Sequence, residues 1–218
     1  MAAADRPAVS RERTLAAAIA LADEQGLAAV SMRQVAARLD VVPMALYKHV
    51  ANKEDLLDGM VETVVSGYEQ PAPGGPWPDR VRARVLAARA ELGRHPWLRQ
   101  AIEGRTSRTP AVLAHMDAVT GELIDGGLSV DLAHHVMHAL GHRIWGFSPE
   151  AFDEPGGDTP SPEALDAFAR TFPHIVAVVR ETTRDGGRCD ADLEFDFALD
   201  LLLDGVERLH ASGWRSRR

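Results

Sequence analysis

The chain has 218 residues, of which 45% are hydrophobic, and its formal net charge is −8 at pH 7. This length allows one domain or a small domain followed by a larger one, and the hydrophobic content supports a packed core, which excludes a disordered chain. The one cysteine, Cys189, cannot form an intramolecular disulfide, and no stretch approaches the roughly 20 apolar residues of a membrane span, so we expect a cytoplasmic protein without a membrane partner.

Charge is distributed unevenly along the sequence. The overall value of −8 argues against nucleic acid, but the segment up to Lys53 carries seven basic against five acidic side chains. Both lysines of the chain, Lys48 and Lys53, lie within six residues of each other. A basic excess confined to one segment leaves an interaction with DNA open without establishing it.

Apolar residues recur every three or four positions and strand-like alternation is almost absent, so we predict an all-α fold. The first helix is expected to begin after Ser10 and to end at Gly26. Its apolar stripe comprises Leu15, Ala18, Ile19 and Ala22. Ser31 and Gln34 form a capping box that opens a second, short helix.

The next two helices complete a compact N-terminal motif. Pro43 at a first helical position predicts a short third helix that ends at Val50. Asn52 caps a fourth helix. The apolar face of this fourth helix is predicted to consist of Leu57, Met60, Val61 and Val64. Two short helices joined by a tight turn are typical of a helix-turn-helix, although spacing alone also fits any small helical domain with a solvated cationic edge.

Residues 71–79, PAPGGPWPD, are too rich in proline and glycine to continue a helix and predict a boundary. Longer helices are predicted after it, at about 79–93, 96–103, 109–126, 130–147, 162–182 and 190–211. A loop is predicted at 149–162.

Residues 31–61, SMRQVAARLDVVPMALYKHVANKEDLLDGMV, closely resemble the TetR family of bacterial repressors, and the run LYKHVANKEDLL is that family's hallmark. The resemblance implies a three-helix helix-turn-helix DNA-binding domain at residues 1–69 and a larger helical domain for effector binding and dimerisation at 70–218. It implies a transcriptional regulator, a repressor that dimerises on a palindromic double-stranded DNA operator and is released by a small apolar or aromatic effector.

The same resemblance implies which residues face DNA. Arg33 resembles a base- or phosphate-contacting arginine, while Tyr47 and Lys53 resemble the family's phosphate clamps. The remaining expected DNA-binding residues are Met32, Pro43, Met44, Ala45, Lys48 and His49. Asp40 stands where the family commonly has glycine, but aspartate tolerates a left-handed conformation.

Three segments further along resemble the C-terminal domain of the tetracycline-repressor branch: RHPWLRQAI (94–102), DGGLS (125–129) and GHRIWGF (141–147). That domain binds a small effector and dimerises. Candidate effector-binding residues are mostly apolar and aromatic, as in small-molecule pockets generally, although each is also an ordinary core residue. They are Trp97, Met116, Val119, Met137, His142, Trp145 and Phe147.

The last predicted helix is apolar on two faces. Phe197 and Leu201 form one stripe, whereas Leu202, Val206 and Leu209 form another. A helix with two apolar faces needs two partners, one of which, by resemblance, is a second subunit. The alternative is a single deeply buried core helix.

His134, His138 and His142 recur every four residues and share one helix face. This spacing lets two imidazoles meet one zinc, nickel or copper ion, although histidines at a polar dimer seam or a pocket rim are more common. A metal hydrolase is the rival function. The sequence has no nucleophile elbow, HExxH motif or glycine-rich phosphate loop, so we expect neither catalytic residues nor a cofactor.

Overall fold

The computed structural model describes residues 8–105, 108–145, 162–174, 176–177 and 191–217. Within these ranges the regular elements are all helical, which confirms the predicted fold class. They are α1 Arg11–Gln25, a 3-10 turn Leu27–Ala29, α2 Met32–Arg38, α3 Pro43–Leu46, α4 Lys53–Ser66, α5 Trp77–Arg94, α6 Trp97–Glu103, α7 Pro110–Asp125, α8 Val130–Trp145, α9 Pro162–Thr171 and α10 Ala191–Ala211. None of these helices combines the length and the apolarity that crossing a bilayer requires.

The described residues group into two compact units, one within 1–145 and 210–218, the other within 146–209. The domain boundary predicted at 69/70 falls in the segment between α4 and α5 and stays a prediction. The N-terminal core is made by α1 to α4, in which Val30, Val35, Leu46 and Val50 are almost completely buried. In the stripe of α1, Leu15, Ala18 and Ala22 are buried and Ile19 is partly buried.

The turn between α2 and α3 is fixed by local hydrogen bonds. The Ser31 hydroxyl accepts a bond from the Gln34 amide at 3.2 Å, as expected of the N-cap. Asp40 adopts φ +56°, the left-handed conformation expected for it. The Asp40 amide donates to the Ala37 carbonyl and the Val41 amide to the Ala36 carbonyl, at 3.1 and 3.0 Å, which is a Schellman ending. The turn keeps its geometry without glycine.

Helix α3 is shorter than predicted, since it ends at Leu46 rather than at Val50. Its last turn tightens instead: the His49 amide donates to the Leu46 carbonyl at 2.8 Å, a three-residue bond, and the Val50 amide shares the same acceptor at 3.0 Å. This turn directs Tyr47 and Lys48 into solvent while Val50 stays buried.

Helix α4 buries a slightly different face from the one predicted. Leu56 is fully buried and Leu57 only half-buried, whereas Met60, Val61 and Val64 are buried as expected. The face is set by the crossing of α1 and α4 at Gly59, where an added Cβ would lie 2.6 Å from Leu15 Cδ2. The two helices therefore approach closely, and a larger residue at position 59 would require the Leu15 side chain to shift.

Helix α5 begins at Trp77, two residues before the predicted start. The Trp77 ring is buried directly over Gly126, the residue that ends α7, and a Cβ at position 126 would collide with that ring. Glu122 of α7 also bonds Arg80 and Arg84 of α5, with the Arg84 bonds at 3.1 and 3.2 Å. The Arg80 guanidinium, followed by that of Arg84, holds the pKa of Glu122 below its usual value. Sterics and charge together fix α5 against α7.

In the second unit, α9 ends at Thr171, and residues 173–174 and 176–177 are helical again, so the helix predicted at 162–182 is interrupted at Phe172. The last five residues of that prediction, 178–182, lie outside the described residues. Pro173 lacks an amide proton and disfavours helical geometry at the preceding residue, which ends the helix. Helix α10 has one buried face and one exposed face. Phe195, Leu199, Leu203 and Val206 are buried, whereas Leu193, Phe197 and Leu201 are 65%, 58% and 55% exposed. Of the second predicted stripe, Leu202 is half-buried, Val206 is buried and Leu209 is exposed.

Candidate nucleic-acid interface and effector cavity

The residues expected to face DNA cluster on the outside of α2, α3 and the start of α4, which we call the α3 surface. Met44 and Tyr47 are 72% and 48% exposed. Arg33, Pro43, Lys48 and Lys53 are also exposed, and Met32, Ala45 and His49 are partly buried. Leu46 and Val50 belong to the core beneath. Six of the nine expected residues are thus exposed and three are partly buried, all on α2, on α3 and its last turn, or at the start of α4.

Val42 belongs to the same surface and was missed by the sequence reasoning. It is the N-cap of α3, has extended backbone angles and is 68% exposed. Together with Met44 it presents an apolar pair in solvent. The signal was available in the sequence, because the residue before a proline is held extended and outside the helix that follows.

The cations of the N-terminal helices fall into two groups. Arg11 pairs with Asp55 and Arg38 pairs with Glu24. Arg33, Lys48 and Lys53 on the α3 surface have no ion-pair partner in the part of the chain that the structure describes. Three exposed cations without carboxylate partners, beside amides at the start of α4, suit a polyanion.

Arg11 and Asp55 hold the end of α3 in place. The Arg11 guanidinium bonds both Asp55 oxygens at 2.7 and 3.2 Å and donates to the His49 carbonyl at 2.8 Å. Asp55 also accepts the Ala51 amide at 2.7 Å. The hydrogen bonds from Arg11 and from this amide keep the pKa of Asp55 below its usual value. One ion pair therefore links the starts of α1 and α4 to the last turn of the α3 surface.

A cavity of about 360 Å³ lies within the first unit, among α4 to α8. Met116, Val119 and Met137, three of the expected effector-binding residues, line it. The other lining residues are Val65, Tyr68, Val85, Ala88, Ile102, Glu103, Arg108, Val112, His115, Leu140 and Gly141. Most of these side chains are apolar, as in small-molecule sites generally.

Four polar side chains that the sequence reasoning did not single out line this cavity: Tyr68, His115, Glu103 and Arg108. Glu103 bonds Arg99 and Arg108 bonds main-chain carbonyls. The rings of Tyr68 and His115 meet edge to face, with centroids 5.1 Å apart. Burial, helped by the charge of Glu91, raises the pKa of Tyr68 to about 12. Burial, helped by the charge of Arg84, lowers the pKa of His115. Both groups are therefore uncharged at neutral pH and offer directional hydrogen bonds without a net charge.

Trp97 is not brought to the cavity. It is 4% exposed in the core, and its indole Nε1 donates to Asp23 Oδ1 at 2.6 Å, which ties α6 to α1. A buried indole needs an acceptor, and Asp23 supplies it. The side chains of His142 and Trp145, and all of Phe147, lie outside the described residues.

The histidine face of α8 is exposed at His134 and His138, whose ring centroids lie 4.7 Å apart. The side chain of His142 lies outside the described residues. Among the side chains that are described, no group of three or more histidines, cysteines or carboxylates could hold a metal ion. The metal alternative thus has two neighbouring imidazoles and no third ligand from this part of the chain.

Known protein families and individual proteins match nearly the whole chain. Residues 15–60 match the family model "Bacterial regulatory proteins, tetR family" and residues 70–210 match "Tetracyclin repressor-like, C-terminal domain". The HTH-type transcriptional repressor DrrR1 of Streptomyces coeruleorubidus is 36% identical over 94% of this chain and 80% of its own. A crystal structure described as "a possible TetR family transcriptional regulator" from Streptomyces coelicolor A3(2) has a TM-score of 0.72 and 32% identity, covering 92% of this chain and 100% of that one. Apo ActR from Streptomyces coelicolor shares the fold at a TM-score of 0.71 and 23% identity, covering 95% of this chain and 99% of its own.

Proposed function

The chain belongs to the tetR family of bacterial regulatory proteins, as its resemblance in residues 31–61 predicted, and from this premise we propose that it represses transcription as a homodimer on a palindromic operator and is released by a small, largely apolar effector. Its family and relatives are transcriptional regulators, not enzymes. The observation that carries the proposal is the α3 surface, which combines exposed cations that have no ion-pair partner among the described residues with an exposed apolar pair.

Each part of the α3 surface suits a different part of a duplex. Val42 and Met44 offer no side-chain hydrogen bond and fit thymine methyl groups in the major groove. Lys48 lies beside them and can reach base edges or phosphates. Tyr47 and Lys53 flank the pair and position the protein on the backbone. Two copies bound one helical turn apart, roughly 34–36 Å, would read a palindrome.

A second subunit is the proposed partner of the exposed face of α10. Leu193, Phe197 and Leu201 recur every four residues and are each more than half exposed. A contiguous apolar stripe of this kind marks an interface. A twofold axis places the same stripe of a second copy against it, so the apolar faces of the two copies cover each other.

The cavity beneath α4 is the proposed effector site. Its volume, about 360 Å³, lies at the lower end of the range for small-molecule pockets. The walls are mostly apolar, and the charged side chains among them, Glu103 and Arg108, are engaged with Arg99 and with main-chain carbonyls. The pair Tyr68 and His115 therefore favours an uncharged compound that can both donate and accept a hydrogen bond. An effector that binds the non-DNA arrangement better shifts the protein towards it, and operator DNA must weaken effector binding by the same factor.

Operator binding tests the proposal. Selection from random duplexes should recover a palindrome, and gel-shift titrations should then compare variants. Tyr47→Ala and Lys53→Ala should weaken binding to all sequences alike, by about tenfold each, and Lys53→Ala should reduce the salt slope by about one. Met44→Ala should instead change the preferred bases, because it removes an apolar base contact.

Arg99→Ala is the matched control for these variants, since Arg99 is an exposed cation that lies on α6 and pairs with Glu103. It should bind like the parent. Failure to recover any palindrome, or parent-like binding by Tyr47→Ala, would contradict the assignment of the α3 surface.

Filling the cavity should make operator binding less sensitive to the effector. Val119 is 4% exposed and lines the cavity, whereas Leu113 on the same helix is 53% exposed and does not. Val119→Trp should raise the concentration of an uncharged aromatic inducer needed for operator release by more than tenfold, because the added ring occupies the space, and should leave operator affinity within about threefold. Leu113→Trp should respond like the parent. The measurement is operator release by fluorescence anisotropy, across a panel of uncharged aromatic compounds. An unchanged response of Val119→Trp would move the effector site elsewhere.

A further inference from the structure

Arg105 follows the end of α6 and reaches across to the first two turns of α4. Its Nε lies 2.5 Å from Asp58 Oδ1, and its Nη2 lies 3.2 Å from Glu54 Oε2. The same Nη2 donates to the Glu54 carbonyl at 3.3 Å. The Arg105 side chain is only 12% exposed, whereas those of Glu54 and Asp58 are 72% and 45% exposed. A largely enclosed cation thus sits against two carboxylates that face solvent.

The position of these carboxylates matters because Lys53 is the first residue of α4. Glu54 and Asp58 follow it within two turns, at the end of α4 that carries the α3 surface. Charges closer than a Debye length, about 10 Å at 0.1 M salt, are not fully screened from a DNA phosphate. Without Arg105, two negative charges would oppose the cation that binds the backbone.

Residues on either side of Arg105 along the chain line the effector cavity. Arg108 Nη1 donates to the Ile102 carbonyl at 2.9 Å and to the Arg105 carbonyl at 3.2 Å. Ile102, Glu103 and Arg108 line the cavity. A change in this wall would therefore be passed on to the guanidinium that touches α4.

From these contacts we infer that Arg105 is a positioning residue for operator binding: its single positive charge offsets part of the negative charge of Glu54 and Asp58 beside Lys53, and it joins the cavity wall to the DNA-binding end of α4. This inference rests on the proposed operator binding. Arg105 itself touches neither DNA nor effector. Its role is to set the charge and the position of the start of α4, which contacts DNA.

The test uses full-length protein and the selected operator in anisotropy titrations at 0.1 and 0.5 M salt. Arg105→Gln should lower affinity about tenfold at low salt, and the loss should shrink at high salt. Adding Glu54→Gln and Asp58→Asn to Arg105→Gln should restore affinity to within about threefold of the parent, because no uncompensated carboxylate is left. Arg99→Gln, the matched control on α6, should bind like the parent.

A double-mutant cycle tests the link to the cavity wall. Arg108→Ala should also weaken operator binding, and the combination with Arg105→Gln should be clearly less than multiplicative, because both act through one segment. Multiplicative losses would overturn the link. A thermal melt by circular dichroism shows whether each variant is folded.

Parent-like affinity of folded Arg105→Gln, or no recovery when the carboxylates are removed, would overturn the inference. If Arg105→Gln does not fold, Glu54→Gln with Asp58→Asn in the presence of Arg105 decides. That variant should bind the operator several-fold more tightly than the parent, and equal or weaker binding overturns the inference. Failure of the parent to bind any selected duplex is a different result, which overturns the proposed function and this inference together.

Discussion

Replacing Phe197 and Leu201 together by glutamate should turn the dimer into a monomer and lower operator affinity by at least about 100-fold. Both side chains lie on the exposed stripe of α10. In a twofold interface each substitution places a carboxylate against its own copy, so four buried charges without partners result. A monomer then contacts one half-site and loses the effective concentration that the second recognition helix gains from the first.

Light scattering at micromolar concentration measures the first effect, where the parent should give twice the 23.6 kDa chain mass. Gel shifts on the selected palindrome measure the second. Leu113→Glu is the control, because it adds a carboxylate at another exposed apolar position. It should remain dimeric. A parent of single-chain mass, or a dimeric double variant, would remove α10 as the interface.

Replacing Glu122 by alanine should lower the free energy of unfolding by about 2 kcal/mol or more at pH 7, since it leaves two partly buried guanidinium groups without their carboxylate. Glu122 is 14% exposed, and Arg80 and Arg84 are 20% and 14% exposed. Urea unfolding followed by circular dichroism measures the loss. Glu103→Ala, which removes an exposed pair with Arg99, should change the same quantity by no more than about 0.5 kcal/mol.

The Glu122 effect should depend on pH with a defined sign. The pKa of Glu122 is lowered in the folded protein, so the carboxylate contributes stability above its unfolded pKa, near 4.5, and loses it as the pH falls through the folded value. The difference between the parent and Glu122→Gln should therefore be constant from pH 6 to 8 and shrink below about 4.5. A difference that grows towards acid would contradict this ion pair as its source.

The parts of the fold that sequence reasoning predicted well are those set by neighbours along the chain. Ser10, Ser31 and Asn52 each cap the helix expected of them, because a cap needs only a side chain and an amide three residues on. Asp40 takes the left-handed angle for the same local reason. The register of α4, with Leu56 rather than Leu57 inside, depends on the crossing at Gly59 and could not be predicted this way.

The same distinction, between features set by neighbours along the chain and features set by tertiary packing, applies to the candidate sites. The residues expected to face DNA follow from a motif whose spacing predicts its surface, and the exposed Val42 was overlooked there. The cavity depends on which faces of five helices converge, so Tyr68 and His115, two of its polar lining residues, were missed. Trp97 was expected in the cavity because aromatic residues are common in pockets, but its indole is held by Asp23 on α1. Tertiary hydrogen bonds of that kind cannot be predicted from the spacing of apolar residues along the chain.

The cations of the α3 surface, which have no ion-pair partner in the described part of the chain, would also affect how the proposed repressor searches a chromosome. Arg33, Lys48 and Lys53 belong to a chain whose net charge is −8, so the protein has an electric dipole as well as a net negative charge. A duplex attracts the cationic surface and repels the acidic remainder, which rotates an approaching molecule into a productive orientation before contact. The same repulsion weakens attachment to unrelated sequences. We therefore expect fewer molecules to be held along the genome, so that a small number of copies suffices to keep the proposed operator occupied.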